Sequence, residues 1–264
     1  MRKLKAENIN NILFLDIETA PNWEFLEDSP DNVQKEWIQK FKYRDDVPKI
    51  KKITKDNVNY NSELEENLKK NYLNYFEELW IKSAGLYPEF SRVVCISVGF
   101  MYGGALRIKS YSESNEETLL DSFCEDLASF QSINKYAKLC AHYGKGFDFP
   151  YIGKRLLIHR KPLPFILDTY GLKPWEMENL LDTQEIWKFG GFGNGGTLSS
   201  IAMSFGIANP KDDIGGGDVS RCYHNGEIDR IVFYCEKDVA TLVNSFKAMR
   251  SEELLMEGQI QKVI

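Results

Sequence analysis

Residues 12–18 read ILFLDIE: four apolar side chains in a row, then two acids separated by one isoleucine. Four consecutive apolar residues without polar alternation suit a central strand covered on both faces. Residues two apart on a strand share a face, so Asp16 and Glu18 project together and Ile17 points away. An ionised carboxylate is expensive to desolvate, and a like-charged neighbour adds repulsion. A hard divalent cation would relieve both, because it takes oxygen ligands from rigid elements. D-x-E is nonetheless common at strand ends, and the pair alone does not establish a metal site.

Two later stretches bear on the same chemistry. In YGKGFDFPYIGKR (143–155), Asp148 stands just before Pro150 at the expected start of a helix. Asp is a favoured N-cap and Pro suits the first helical turn, so capping explains Asp148 by itself. A helix start can also aim a carboxylate into a cleft, and the two roles are compatible. In FYCEKDVATLV (233–243), Tyr234 and Asp238 lie four apart and so share a helical face, with Val239 and Leu242 in the buried stripe. A tyrosine one turn before a metal-binding aspartate can hold a water; equally, it can simply pack its ring.

The remaining pattern alternates strands and helices, as in an α/β domain. RVVCISVGFMYGG (92–104) and ALRIKSYS (105–112) read as a hairpin with a Gly-Gly turn. Residues 115–130 carry Leu119, Leu120, Phe123 and Leu127 at helical spacing. Residues 138–159 read as strand, Gly-containing turn and helix. Thr197 is placed to cap a helix after the Gly-rich loop GGFGNGG (190–196), and a last helix begins near Glu227. Residues 22–90 read as a helical insertion, with helices expected around Val33–Tyr43 and Ser62–Ile81. Between them PKIKKITKD (48–56) is a local basic patch, either a solvated loop or an arm for substrate. The expected organisation is one domain over 1–264 carrying that insertion.

Composition narrows the class. The chain has 264 residues, 43% hydrophobic and 27% charged, enough for a sizeable core. No apolar run approaches the roughly 18 residues of a membrane span. MRKLKAENIN is basic but lacks the apolar segment of a signal peptide, so a cytoplasmic location is expected. Five scattered cysteines without C-x-x-C argue against a disulfide framework or structural zinc, and most are expected to be buried apolar residues. Histidines 142, 159 and 224 have no zinc-ligand spacing. GGFGNGG lacks the GK[ST] ending of a phosphate-binding loop. A net charge of −6 gives no global footprint for nucleic acid, so a phosphate-binding surface would be local. Asp182 reads as an exposed loop acid, with support of the acidic cluster as the other reading; Asp212 and Asp213 read as turn residues.

Taken in order, D-x-E, F-D-x-P and Y-x-x-x-D resemble the three motifs of the DEDD 3′→5′ exonuclease superfamily. Tyr234, four before Asp238, matches its tyrosine branch; the histidine branch would need His where the chain has Phe233. PEFSRVVCISVGF, HYGKGFDFPYIGKR, LDTQEIWKFGG, NPKDDIGGGDV and YCEKDV are similar to exonucleases related to the proofreading domain of family-B DNA polymerases.

The resemblance implies a ribonuclease H-like α/β fold with a mixed five-stranded sheet flanked by helices. It implies that Asp16, Glu18, Asp148 and Asp238 bind two divalent cations, Mg²⁺ or Mn²⁺, and that Tyr234 orients the attacking water. The implied activity is two-metal hydrolysis at the 3′ ends of single-stranded nucleic acid, DNA favoured, releasing nucleoside 5′-monophosphates. Tyr143, Phe147, Ile17 and Thr19 are the candidates for holding substrate. One position departs: relatives usually carry Asn where this chain has Tyr143 in the N-G-x-x-F-D pattern, and a tyrosine there could stack on a base or only pack. The alternatives are a non-catalytic nucleic-acid-binding module of the same fold, or an exonuclease directed at RNA or short oligonucleotides.

Overall fold

The computed structural model describes residues 2–48, 62–193, 195–207 and 213–263. They divide into two compact units, one of Met1–Thr19 with Val93–Ile264 and one of Ala20–Arg92.

The larger unit is built on a mixed sheet. Its strands are β1 (Ile12–Pro21), β2 (Ser91–Tyr102), β3 (Ala105–Tyr111), β4 (Lys138–Ala141), β5 (Leu180–Asp182) and β6 (Ile260–Lys262), in the order β5-β4-β1-β2-β3-β6. The β1–β4, β4–β5 and β3–β6 pairs are parallel, and β2–β3 is the antiparallel hairpin expected from its Gly-Gly turn. The expected count of five strands falls one short. The sixth, β6, is a three-residue edge strand that pairs Ile260, Gln261 and Lys262 with Leu106, Arg107 and Ile108. Nothing in so short a segment shows an alternation; its pairing with β3 is set by the tertiary fold.

The alternation along β1 decides where the acids go. Leu13, Leu15 and Ile17 pack into an apolar cluster with Leu119, Phe123 and Leu127 of one helix, α1 (Glu116–Ile133), and Phe149, Ile152 and Leu156 of another, α2 (Asp148–Ile158). Ile12 and Phe14 pack on the opposite face against Val239, Leu242, Val243 and Phe246 of the long helix α3 (Ile228–Met249). Asp16 and Glu18 continue the even-numbered, α3-facing series. Close approach of α3 to the sheet uses Gly99, where a Cβ would lie 2.7 Å from Val239 Cγ1. Asn115 caps α1 by accepting from the Glu117 and Thr118 amides, and Thr197 caps Leu198–Ser204 as expected.

The smaller unit contains the two helices expected within 22–90, at Asp31–Phe41 and Ser62–Ser83. Its interior is aromatic: the Trp37 ring meets Phe41, Trp80 and Phe90 edge-on, with centroids 4.4 to 5.2 Å apart. The buried indole nitrogens are satisfied, since Trp37 donates to the Phe76 carbonyl and Trp80 to that of Trp23, each at 3.1 Å. Residues 49–56 of the basic patch lie outside the described residues, as does Asp212; Asp213 is ion-paired with Arg230.

Candidate active site

The parallel strands β1, β4 and β5 point towards one edge of the sheet, and acids lie within β1 just past its pairing with β4, at the last residue of β5 and in the chain beyond β4. In open α/β sheets this carboxyl edge is where sites form. Asp16 and Glu18 come from β1 itself. The end of β4 leads through residues 142–147 to Asp148, the first residue of α2. Asp182 ends β5. The opposing wall is α3, whose Tyr234 and Asp238 sit one turn apart.

Asp16, Glu18 and Cys235 bring a ligand-type atom each to within 4.8 Å of one another. Burial, then the charges of Glu18, Asp148 and Asp238, pushes Asp16 well above the usual carboxylate range. Glu18 is raised for the same reasons, burial first, then Asp238, Cys95 and Asp148. Asp148 is raised by burial to about 7, with its own backbone N–H and that of Ile17 pulling the other way. Burial and the neighbouring charges of Asp238, Glu18 and Asp16 raise the Tyr234 hydroxyl, which also hydrogen bonds to the Asp238 side chain. The structure therefore brings together all five of Asp16, Glu18, Asp148, Tyr234 and Asp238.

The substrate candidates divide. Tyr143 is half-exposed and Thr19 partly buried. Phe147 is partly buried against the core, its ring 5.2 Å from that of Tyr151. Ile17 is a core side chain, 5% exposed, because it faces α1 and α2; its backbone N–H, rather than its side chain, reaches the site by bonding to Asp148. The N-cap reading of Asp148 is corrected: Phe147 occupies the cap position, and Asp148, inside the first turn, aims its carboxyl at β1.

One residue enters that the sequence did not single out for the site, Cys235, and another, Asp182, takes the supporting place that was the second of its two readings. Cys235, read as a small apolar residue, packs its Sγ 3.4 Å from Asp16 Oδ2 and 3.3 Å from the Asp16 carbonyl. Burial raises its thiol far above the ordinary value, so it stays protonated and donates to Asp16. Asp182 is 3% exposed, not a loop acid on the surface. It accepts from the backbone N–H groups of Tyr143 (3.0 Å), Lys145 (3.1 Å), Gln184 (2.8 Å) and Glu185 (3.3 Å). The signal available for Asp182 was its place at a strand-to-helix junction, an N-cap position. For Cys235 it was its position between Tyr234 and Asp238 on the inward face.

The donor set fits a hard cation. Four carboxylates offer oxygen, whereas the sulfur beside Asp16, that of Cys235, is held as a thiol and is a poor ligand in that form.

A family model for the RNase_H superfamily matches residues 81–249, well over half of the chain. The chain belongs to that superfamily, whose domains are commonly nucleases that act on nucleic acid with divalent metal ions. Asp148, Asp182, Tyr234 and Asp238 lie inside the matched residues, while Asp16 and Glu18 precede them and join through the sheet. No curated protein matches the chain. Among the described residues no helix is long and apolar enough to cross a membrane.

Proposed function

We propose that the protein is a 3′→5′ exonuclease of the tyrosine-type DEDD branch, related to the exonuclease domain of family-B DNA polymerases. It would hydrolyse phosphodiester bonds at the 3′ ends of single-stranded nucleic acid, DNA favoured. One observation carries the reading: the acids of all three motifs, with Tyr234, converge at the carboxyl edge of β1 and β4. The whole chain is read as one exonuclease domain, with Ala20–Arg92 as its insertion, working in the cytoplasm.

Asp16, Glu18, Asp148 and Asp238 would hold two Mg²⁺ or Mn²⁺ ions, which when bound activate water and neutralise charge on the leaving oxygen. The rest falls to the protein. Tyr234, hydrogen bonded to Asp238, positions the attacking water through its hydroxyl, which stays protonated because burial raises it. Cys235 orients the Asp16 carboxylate by donating to Oδ2. Glu18, inside β1, would also face the terminal 3′-hydroxyl. Tyr143, Phe147, Thr19 and the backbone at Ile17 line the approach of the last nucleotide.

The test is digestion of 5′-labelled single-stranded DNA and RNA with Mg²⁺ or Mn²⁺. The expected result is stepwise shortening from the 3′ end with nucleoside 5′-monophosphates as products. Outer partners of a metal site typically cost roughly 10–100-fold when removed, so Asp16→Ala should lose more than about 100-fold. Wild type as inert as Asp16→Ala on both substrates defeats the reading; retained strand binding would then favour the non-catalytic module.

A further inference from the structure

The segment between β4 and α2 is fastened residue by residue to one corner of the fold. His142 Nδ1 lies 3.0 Å from Thr183 Oγ1, and its Nε2 lies 3.1 Å from the Gly196 carbonyl. The Tyr143 and Lys145 amides donate to the two oxygens of Asp182. Lys145 Nζ pairs with Glu185 at 2.8 Å. Every anchor except Gly196 comes from residues 182–185, where β5 turns into the short helix Thr183–Lys188.

What is held this way is a strained residue. Tyr143 has φ of 60°, in the left-handed region that a bulky side chain enters only when its surroundings compel it. Its ring lies on Gly146, where a Cβ would come within 2.4 Å of Cε2 and Cζ. With one side resting on Gly146, the residue is still 51% exposed. An aromatic ring backed on one side and open on the other, five residues before Asp148, is the form of a base-stacking platform.

We propose that Asp182 is a positioning residue: by fixing the Tyr143 and Lys145 amides it holds the Tyr143 ring as a stacking surface for the base at the 3′ end of the substrate. The assignment rests on the exonuclease reading for its substrate, and on the hydrogen bonds and backbone of this loop for its geometry. Asp182 itself is buried beneath the loop and touches no substrate. The platform reads the face of a base and not its edges, so it serves all four bases and favours an unpaired terminal nucleotide.

The experiment compares Asp182→Asn, Tyr143→Gly, Tyr143→Phe, Gly146→Ala and the Asp182→Asn/Tyr143→Gly double variant. Asp182→Asn keeps an oxygen for Tyr143 and the helix cap but turns an NH₂ towards the Lys145 amide. Thermal melts of each variant establish that it is folded. The probe is a single strand with 2-aminopurine at its 3′ end. Its fluorescence is read on Asp16→Ala backgrounds without added metal, and KM and kcat are measured separately in the cleaving proteins.

Stacking is worth enough that losing it should raise KM about tenfold. Tyr143→Gly is expected to abolish quenching and raise KM more than it lowers kcat, and Tyr143→Phe to retain quenching. Asp182→Asn and Gly146→Ala are expected to reproduce the Tyr143→Gly defect. In the double variant Asp182→Asn should add less than about twofold, because there is no ring left to position. An equal Asp182→Asn effect in both backgrounds, or one confined to kcat, overturns the assignment. So does quenching that survives Tyr143→Gly. Tyr143-dependent quenching without cleavage by the otherwise wild-type protein would leave the platform standing and defeat the exonuclease reading instead.

Discussion

Acids are held against both faces of β1, a single one, Glu116, on one side and the group around Asp16 on the other, and the two clusters they anchor are built in contrary ways. On the α1 and α2 side, Glu116 is almost fully buried yet well supplied. It accepts from Arg155 Nε at 2.8 Å, from His159 Nε2 at 2.8 Å and from the Val93 amide at 2.8 Å. Burial alone would push its carboxyl up, but the bonds from Arg155 and His159 and the charge of Arg155 outweigh it and hold it below the usual range. On the α3 side, burial and neighbouring acids raise Asp16 and Glu18 together. The first cluster carries its own counter-charge and is finished as structure. The second concentrates negative charge at the carboxyl edge of a sheet, an arrangement that favours function over stability.

The largest effect that would break this comparison is on the finished cluster. Arg155→Leu leaves Glu116 buried without its main partner, and breaking a buried pair from one side typically costs about 3–5 kcal/mol. Urea unfolding should show that loss, while residual cleavage per folded molecule changes little. A loss below about 1 kcal/mol would mean that His159 and the Val93 amide suffice, and that the contrast is weaker than the hydrogen bonds indicate.

Next in size is an opposition in pH dependence. Glu116, with its folded pKa lowered, contributes stability above about pH 4 that is lost as the pH falls below it. Asp16, Glu18 and Asp148 have raised folded pKa values, so their ionisation works against the fold as pH rises from about 4 towards the value near 7 of Asp148. In EDTA, the melting temperature should fall across that interval. Mg²⁺ or Mn²⁺ should restore more of it at pH 8 than at pH 5, and Asp148→Asn should flatten the decline. A melting temperature that climbs between pH 5 and 8 in EDTA would remove the distinction between the clusters.

The smallest effect concerns the thiol beside Asp16. Cys235→Ser keeps a donor at that position and should change the metal concentration for half-maximal cleavage by less than about threefold. Cys235→Ala removes the donor, a hydrogen bond worth about 1 kcal/mol, and should shift it by roughly fivefold. Equal behaviour of the two variants would show that Cys235 serves only as packing.

Much of this was readable in the chain, for reasons that are local. ILFLDIE combines a strand period with a misplaced pair of acids, and the strand period alone assigns Asp16 and Glu18 to one face. Tyr234 and Asp238 declare themselves by helical spacing. What escaped depends on partners far away in sequence. Asp182 is recognisable as a cap for the residues after it, but its hold on Tyr143 and Lys145 reaches back about forty positions. The Glu116–Arg155 pair is separated by 39 residues on two helices and has no signature of its own. Cys235 looked apolar because a buried thiol usually is. β6 is too short for a periodic pattern.

The order in which the four carboxylates occur along the chain has a consequence for folding. They stand at positions 16, 18, 148 and 238, and the strands and helices that bear them meet only when the first strand, the middle of the chain and the last long helix are all in place. No hairpin or single helix–strand unit gathers the set, so if these acids hold divalent ions as proposed, the unfolded chain would offer those ions no comparable site. Binding then acts on the native state alone, and ions at a hundred times their dissociation constant would add about 2.7 kcal/mol to it. Loss of ion binding would accordingly report early on any lesion that loosens the join between the two ends of the chain, even one far from the acids themselves.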